Sequence, residues 1–143
     1  MSRRDQAGQT TVLIVGLALV ALLMVAVVVD ASAAYLRRQG LDSLADGAAL
    51  AAADGVQGAQ VYQGGLGDHA RIDPDAARAY AADYLETMGA ASRYPGFSYT
   101  VRTEADRVVV HVAAPLVLPI IPPGWVRRPV ISGTAASIVG IED

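Results

Sequence analysis

The stretch that decides the fold is VLIVGLALVALLMVAVVV, residues 12–29, which has eighteen consecutive residues without a charged or polar side chain. As an α-helix with a rise of ~1.5 Å per residue it extends roughly 27 Å, close to the thickness of a bilayer core. A helix that is apolar on every side has no polar face to turn toward water. The stretch therefore predicts a transmembrane helix from Val12 to Val29, with Leu19 near its centre.

The composition of the whole chain narrows the class of protein further. The 143 residues are 53% hydrophobic and contain no cysteine; all eleven basic residues are arginine, and the net charge is −3. The absence of cysteine excludes disulfides and thiolate zinc sites, and the absence of lysine excludes Schiff-base chemistry and a lysine-dependent phosphate loop. The balance of charge gives no reason to expect nucleic acid. We expect a membrane protein that is not an enzyme and needs no cofactor.

The orientation of the predicted span follows from the unequal lengths of its flanks. Two arginines precede the span and two follow it closely, so the count of basic residues does not decide the orientation. A short tail is the easier end to retain, while long domains translocate regardless of charge. We expect a cytoplasmic tail over residues 1–11, a single-pass anchor in the cell membrane, and an extracytoplasmic C-terminal domain. A secreted protein with a cleaved signal peptide is the alternative, since residues 31–33 read Ala-Ser-Ala.

An alanine-rich stretch, residues 31–54, continues the helical signal beyond the span. Ala45, Ala49 and Ala53 fall on one stripe at a spacing of four residues, which lets two helix backbones approach closely. The stripe could pack on the chain's own domain or serve as a face for helix-mediated self-association, and the sequence does not separate these readings. Five glycines within residues 55–72 predict a linker.

The remaining residues, 73–143, predict a small α+β domain. Asp73 is a good N-cap and Pro74 suits the first helical position, so a helix should begin there. Residues 97–103, 107–113 and 129–139 read as strands, the first two as an antiparallel hairpin. The predicted fold is one helix on a three-stranded antiparallel sheet, behind a transmembrane helix that continues into the alanine-rich helix. We expect residues 56–143 to fold alone, though weakly.

Few side chains suggest chemistry. Asp68, His69, Asp73 and Asp75 could bind a divalent cation, but helix initiation already accounts for Asp73 and Asp75, and we expect no metal site. His111 lies inside a predicted strand, where a cross-strand hydrogen bond is the expected role.

One loop combines an aromatic residue with charge. Trp125, Arg127 and Arg128 follow a proline-rich stretch and could touch lipid headgroups or a polymer. This possible surface contact supports a second hypothesis, in which the chain is a membrane-anchored cell-surface binding module. A solvated loop tip is the simpler interpretation of the same residues.

The N-terminal third combines features that together resemble a known family. A basic start and a glycine, Gly8, precede the long apolar helix; Asp30 closes that helix, and residues 45–53 read ADGAALAAA. This pattern over residues 7–54 resembles the N-terminal segment of Flp pilus-assembly proteins of the TadE/TadG type. The composition, rich in alanine and with arginine as its sole basic residue, is similar to that of high-GC actinobacterial members, and residues 55–143 resemble the short TadG-related proteins.

The resemblance implies a role in assembly. It implies a membrane-anchored, pilin-like component of a tight-adherence pilus or secretion system, with the lipid bilayer and other membrane proteins of that machinery as partners and no catalysis. Pilin-like members often have an acidic residue five positions after the glycine of the cleavage site; here that position is Leu13. We therefore expect the mature protein to keep its N-terminal segment.

Overall fold

A computed structural model of the chain describes residues 4–64, 72–120 and 129–139, and for residues 4–9 and 60–64 it describes the backbone alone. The described elements are helices α1 (Arg4–Gly64), α2 (Pro74–Thr87) and α3 (Ala90–Arg93) and strands β1 (Ser98–Thr103), β2 (Arg107–Pro115) and β3 (Val130–Ile138). The strands form one antiparallel sheet in the order β1-β2-β3. The predicted α+β fold with a long N-terminal helix is confirmed.

Helix α1 differs from the prediction at its C-terminal end. It runs without interruption through the apolar stretch and the alanine-rich stretch and ends at Gly64. The predicted linker over residues 55–72 is therefore wrong for residues 55–64, while residues 65–71 lie outside the described part of the chain. Gly55 does not break the helix, because Tyr80 packs directly on it, and Gly58 lies within the helix without such a contact.

The hydrophobic core is built on α1. Its buried face repeats every three or four residues, as expected for one side of a helix, and consists of Leu41, Leu44, Ala45, Ala48, Ala49, Ala52, Ala53 and Val56. The inner face of the sheet packs on this helix through Val101, Val108, Val110, Val112 and Ala114. The helix on the sheet is thus mainly α1 rather than α2. The domain predicted over residues 73–143 shares its core with the N-terminal segment, so a fragment of residues 56–143 would lack most of the α1 face on which the sheet packs.

Helix α2 begins as its sequence predicts. Asp73 is the N-cap, and its Oδ1 accepts hydrogen bonds from the backbone N–H groups of Asp75, at 2.9 Å, and Ala76. Pro74 occupies the first turn, where its missing N–H costs nothing. The buried residues Ala77, Ala81 and Leu85 turn mainly toward α1. Gly89, with φ of 64°, ends this region in the left-handed conformation that glycine adopts without strain.

Three tyrosines lie against three glycines of α1, each occupying the space that a side chain at the glycine would need. The pairs are Tyr94 with Gly40, Tyr84 with Gly47, and Tyr80 with Gly55. A glycine inside a helix costs ~1 kcal/mol relative to alanine, but here it allows a phenol ring to pack directly on the helix backbone. These glycines belong to the packing of the domain, which explains their presence inside a continuous helix.

Strand β3 approaches the backbone of α1 closely at Gly133, and this contact predicts a large effect of adding one methyl group. A Cβ at Gly133 would lie 2.9 Å from the backbone N and 3.0 Å from the Cα of Asp42. These backbone atoms cannot rotate away, so helix and strand would have to separate. We expect Gly133→Ala to lower the free energy of unfolding by about 2 kcal/mol.

The matched control is the same substitution at Gly58, which is exposed on α1 and has nothing within 4 Å of its missing Cβ. Gly58→Ala should leave stability unchanged or raise it by up to ~1 kcal/mol. Thermal unfolding of both variants, followed by circular dichroism, measures the difference. Equal melting temperatures for the two variants would contradict the close approach of β3 to α1.

Candidate functional site

The apolar half of α1 presents its side chains to the outside of the molecule. Among the described residues, α1 is the helix long and apolar enough to cross a membrane; its most apolar 18-residue window has a mean hydropathy of 3.3 and is not buried by any other part of the structure. Val12, Leu19 and Val29 are 73%, 58% and 43% exposed. Such a surface is unfavourable in water, and it has the properties of a membrane span. A signal sequence near an N-terminus meets the same criteria of length and hydropathy.

Asp30 closes the apolar run and makes a contact that sequence reasoning missed. Its Oδ1 accepts a hydrogen bond from the backbone N–H of Ile120, at 3.0 Å, across 90 positions of sequence. The sequence identifies Asp30 only as the residue that closes the apolar helix. No local pattern could have revealed the contact, because it depends on the path of the connection between β2 and β3.

The connection between β2 and β3 is closed near the sheet by a backbone hydrogen bond from Leu116 N–H to Pro129 O, at 2.7 Å. From there its first residues continue toward Asp30, and Val117 and Ile120 stay 48% and 44% exposed. The predicted surface contact at Trp125, Arg127 and Arg128 lies outside the described residues.

The stripe of small residues on α1 faces the interior of the fold. Ala45, Ala49 and Ala53 are each at most 3% exposed. Their surroundings are α2 and the sheet of the same chain. Of the two readings that the sequence left open, the structure places these alanines in the packing of the chain's own domain. This part of the helix therefore has no free face at the stripe.

Arg37 lies two helical turns beyond Asp30, on the side of α1 that faces the domain. Its guanidinium carbon is 5.3 Å from the centre of the Tyr94 ring, a cation–π contact. The Nε and Nη2 atoms are buried and lack a hydrogen-bond partner within the described structure. The neighbouring Arg38 points away and lies 4.0 Å from Asp42, an exposed pair that contributes little to stability.

His111, Asp73 and Asp75 make hydrogen bonds or ion pairs within the fold. His111 Nδ1 lies 2.7 Å from Thr134 Oγ1 on the outer face of the sheet, which confirms the predicted cross-strand hydrogen bond. Asp75 pairs with Arg78 at 2.8 Å and Asp73 caps α2, while Asp68 and His69 lie outside the described residues. Over the described part of the chain, no group of three or more acidic or histidine side chains could hold a metal ion.

The turn between β1 and β2 carries a small charged cluster. Arg107 Nε lies 3.0 Å from Asp106 Oδ1 and 3.4 Å from Glu104 Oε2. The hydrogen bond to Asp106, with the negative charges of both carboxylates, raises the pKa of the Arg107 guanidinium. The guanidinium is exposed and stays charged throughout the physiological range, so the cluster belongs to a turn and offers no acid–base chemistry.

Comparison with known proteins finds a family match for the N-terminal segment of the chain. No curated protein and no solved structure matches the chain significantly. Residues 8–55 match the family Tad, described as "Putative Flp pilus-assembly TadE/G-like", and this segment covers the apolar run and nearly all of the core face of α1. The match supports a role related to Flp pilus assembly and suggests a structural, non-enzymatic one. The resemblance of residues 7–54 to TadE/TadG-type pilus-assembly proteins is therefore confirmed, by a match over residues 8–55.

Proposed function

We propose that the chain is a membrane-anchored, pilin-like structural or assembly component of a tight-adherence (Flp/Tad) pilus or secretion system. The observation that carries the proposal is the position of the family match. It covers residues 8–55, which contain both the exposed apolar run and most of the helix face on which the domain is built. The part shared with pilus-assembly proteins is thus the part that joins anchor to domain.

The continuity of α1 supports an assembly role. One helix contains the apolar run over residues 12–29 and the buried face that begins at Leu41, with no break between them. A backbone-hydrogen-bonded helix transmits force and orientation along its axis, whereas a flexible linker would not. A domain fixed to its anchor in this way suits a subunit that must hold a set orientation in a larger assembly.

The location we propose is the cell membrane, with the N-terminus in the cytoplasm and the α+β domain outside. The length of the domain that follows the span favours this orientation, since long domains translocate largely regardless of charge. The proposed partners are the lipid bilayer and other membrane proteins of the pilus machinery. We propose no catalytic activity, cofactor or nucleic-acid partner.

Affinity capture of the full chain from native membranes in mild detergent tests the function. We expect other Tad pilus or secretion proteins to be enriched with it, as identified by mass spectrometry. The control is a variant in which residues 12–29 are replaced by an unrelated apolar sequence of equal length, which separates specific assembly from shared membrane residence. Recovery of a surface ligand without any component of that machinery would contradict the proposal and favour the binding module, and Trp125→Ala would then identify the contact.

A further inference from the structure

The connection between β2 and β3 reaches the level at which the apolar run of α1 ends. Ile120 donates its backbone N–H to Asp30, and Asp30 directly follows Val29, the last residue of the run. If residues 12–29 cross the membrane, as the proposed function requires, Ile120 lies at the boundary between hydrocarbon and headgroups. We propose that residues 116–120 insert into the lipid interface, so that the domain rests on the membrane surface.

The chemistry of this segment fits a lipid interface. Residues 115–120 read PLVLPI and have no polar side chain. Val117, Pro119 and Ile120 are exposed, although Ile120 is held by a hydrogen bond through its backbone. An exposed apolar segment in a soluble domain marks a surface that meets a partner or a membrane. The hydrogen bond to Asp30 brings this segment to the end of the apolar run, where Val29 is 43% exposed.

A second set of residues, on α1, places the interface at the same depth. Tyr35 and Leu36, less than two helical turns beyond Asp30, are 68% and 65% exposed, and the exposed Arg38 follows them. Tyrosine is enriched at the interface between membrane and water, and an arginine guanidinium is attracted to anionic lipid headgroups. Residues 30–38 extend ~13 Å along the helix, which is on the order of the thickness of a headgroup region. Residues 116–120 then lie beside the headgroup region rather than in open water.

Asp30 is the positioning residue in this arrangement. A carboxylate at the edge of hydrocarbon is costly unless hydrogen bonds satisfy it, and the Ile120 N–H is one such donor. The same hydrogen bond ties the connection to the end of the span. The orientation of the domain on the membrane is thus set at two places, by the continuous helix α1 and by this contact.

Single cysteines report the depth of each segment, because the chain contains no native cysteine. The full chain is labelled with a nitrobenzoxadiazole fluorophore at Val117→Cys or Ile120→Cys and reconstituted into vesicles of phosphatidylcholine with a minority of phosphatidylglycerol. Leu19→Cys reports on the span, and Ala105→Cys, in the turn at the opposite end of β2, reports on open water. We expect blue-shifted emission and several-fold stronger quenching by shallow spin-labelled lipids at positions 117 and 120 than at position 105.

The outcomes separate the two proposals. Water-like emission at positions 117 and 120, together with lipid-like emission at Leu19→Cys, overturns the interface contact and leaves the anchor intact. Water-like emission at Leu19→Cys refutes the anchor, and with it the contact. Blue-shifted emission at 117 and 120 without quenching by spin-labelled lipid would assign the segment to a protein neighbour and overturn the contact.

The role of Asp30 has its own readout. Asp30→Ala should shift the emission of the label at Ile120→Cys toward the red and raise its rotational mobility, since the acceptor is lost. Asp30→Asn keeps a carbonyl oxygen as acceptor and should restore both values. The label at Leu19→Cys should not respond to either change. Identical spectra for the alanine and asparagine variants at position 120 would overturn the positioning role.

Discussion

A fragment of residues 73–143 should be unfolded in solution, whereas a fragment of residues 30–143 should fold. The shorter fragment contains α2, α3 and all three strands, yet it lacks α1, which supplies eight of the nineteen buried hydrophobic residues among those described. Without α1, the inner face of the sheet at Val108, Val110 and Val112 would be exposed to water. A domain of this size rarely has more than about 3–5 kcal/mol of stability, so it cannot lose that surface and stay folded.

Amide proton spectra and thermal melts distinguish the two fragments. The longer fragment should give dispersed amide signals and a cooperative melt, because it keeps every buried residue of α1 from Leu41 to Val56 but not the apolar run. The shorter fragment should give collapsed signals and no transition. A cooperative melt of residues 73–143 at the temperature of the longer fragment would show that α1 is dispensable for the fold.

The second large effect is expected at the centre of the apolar run. Leu19→Arg should make membrane insertion less favourable by about 3 kcal/mol, which combines the cost of a central arginine with the loss of a leucine. Position 19 is more than half exposed in the chain itself, so the side chain would face lipid and have no protein partner in the described structure. This difference corresponds to about a hundredfold change in the insertion equilibrium.

The insertion free energy of the segment can be measured by the fraction of a glycosylated reporter that spans the membrane. Gln9→Arg is the matched control, because the same side chain at the flank of the apolar run can reach the headgroups and should have little effect. Release of the unmodified full chain by alkaline carbonate would contradict membrane insertion altogether.

Local patterns predicted much of the secondary structure. The N-cap at Asp73 lies where its side chain can satisfy neighbouring N–H groups, and the alternation in residues 97–103 follows the two faces of a strand. Both signals depend on residues within a few positions of one another. For the same reason the cross-strand partner of His111 could be expected as a type of contact, although Thr134 could not be named.

The predicted linker is wrong over residues 55–64 because the intrinsic helix propensity of glycine does not account for packing between distant segments. Gly55, the first residue of the predicted linker, lowers helix stability when considered locally, but Tyr80 packs on it, as Tyr84 does on Gly47 in the alanine-rich stretch. The partners of these glycines are at least 25 positions away in the sequence. Packing between distant segments therefore overrode the local preference.

The sequence by itself determined the apolar run, the α+β composition of the rest, and the resemblance of the N-terminal third to pilus-assembly proteins, because each depends on the order of neighbouring residues. Only the tertiary structure decided that the stripe of Ala45, Ala49 and Ala53 packs on its own domain and that Asp30 holds Ile120. The physical reason is that burial and hydrogen bonding between segments depend on where the folded chain brings them. A stripe of small residues fits a sheet as well as a second helix, and only three-dimensional packing selects between them.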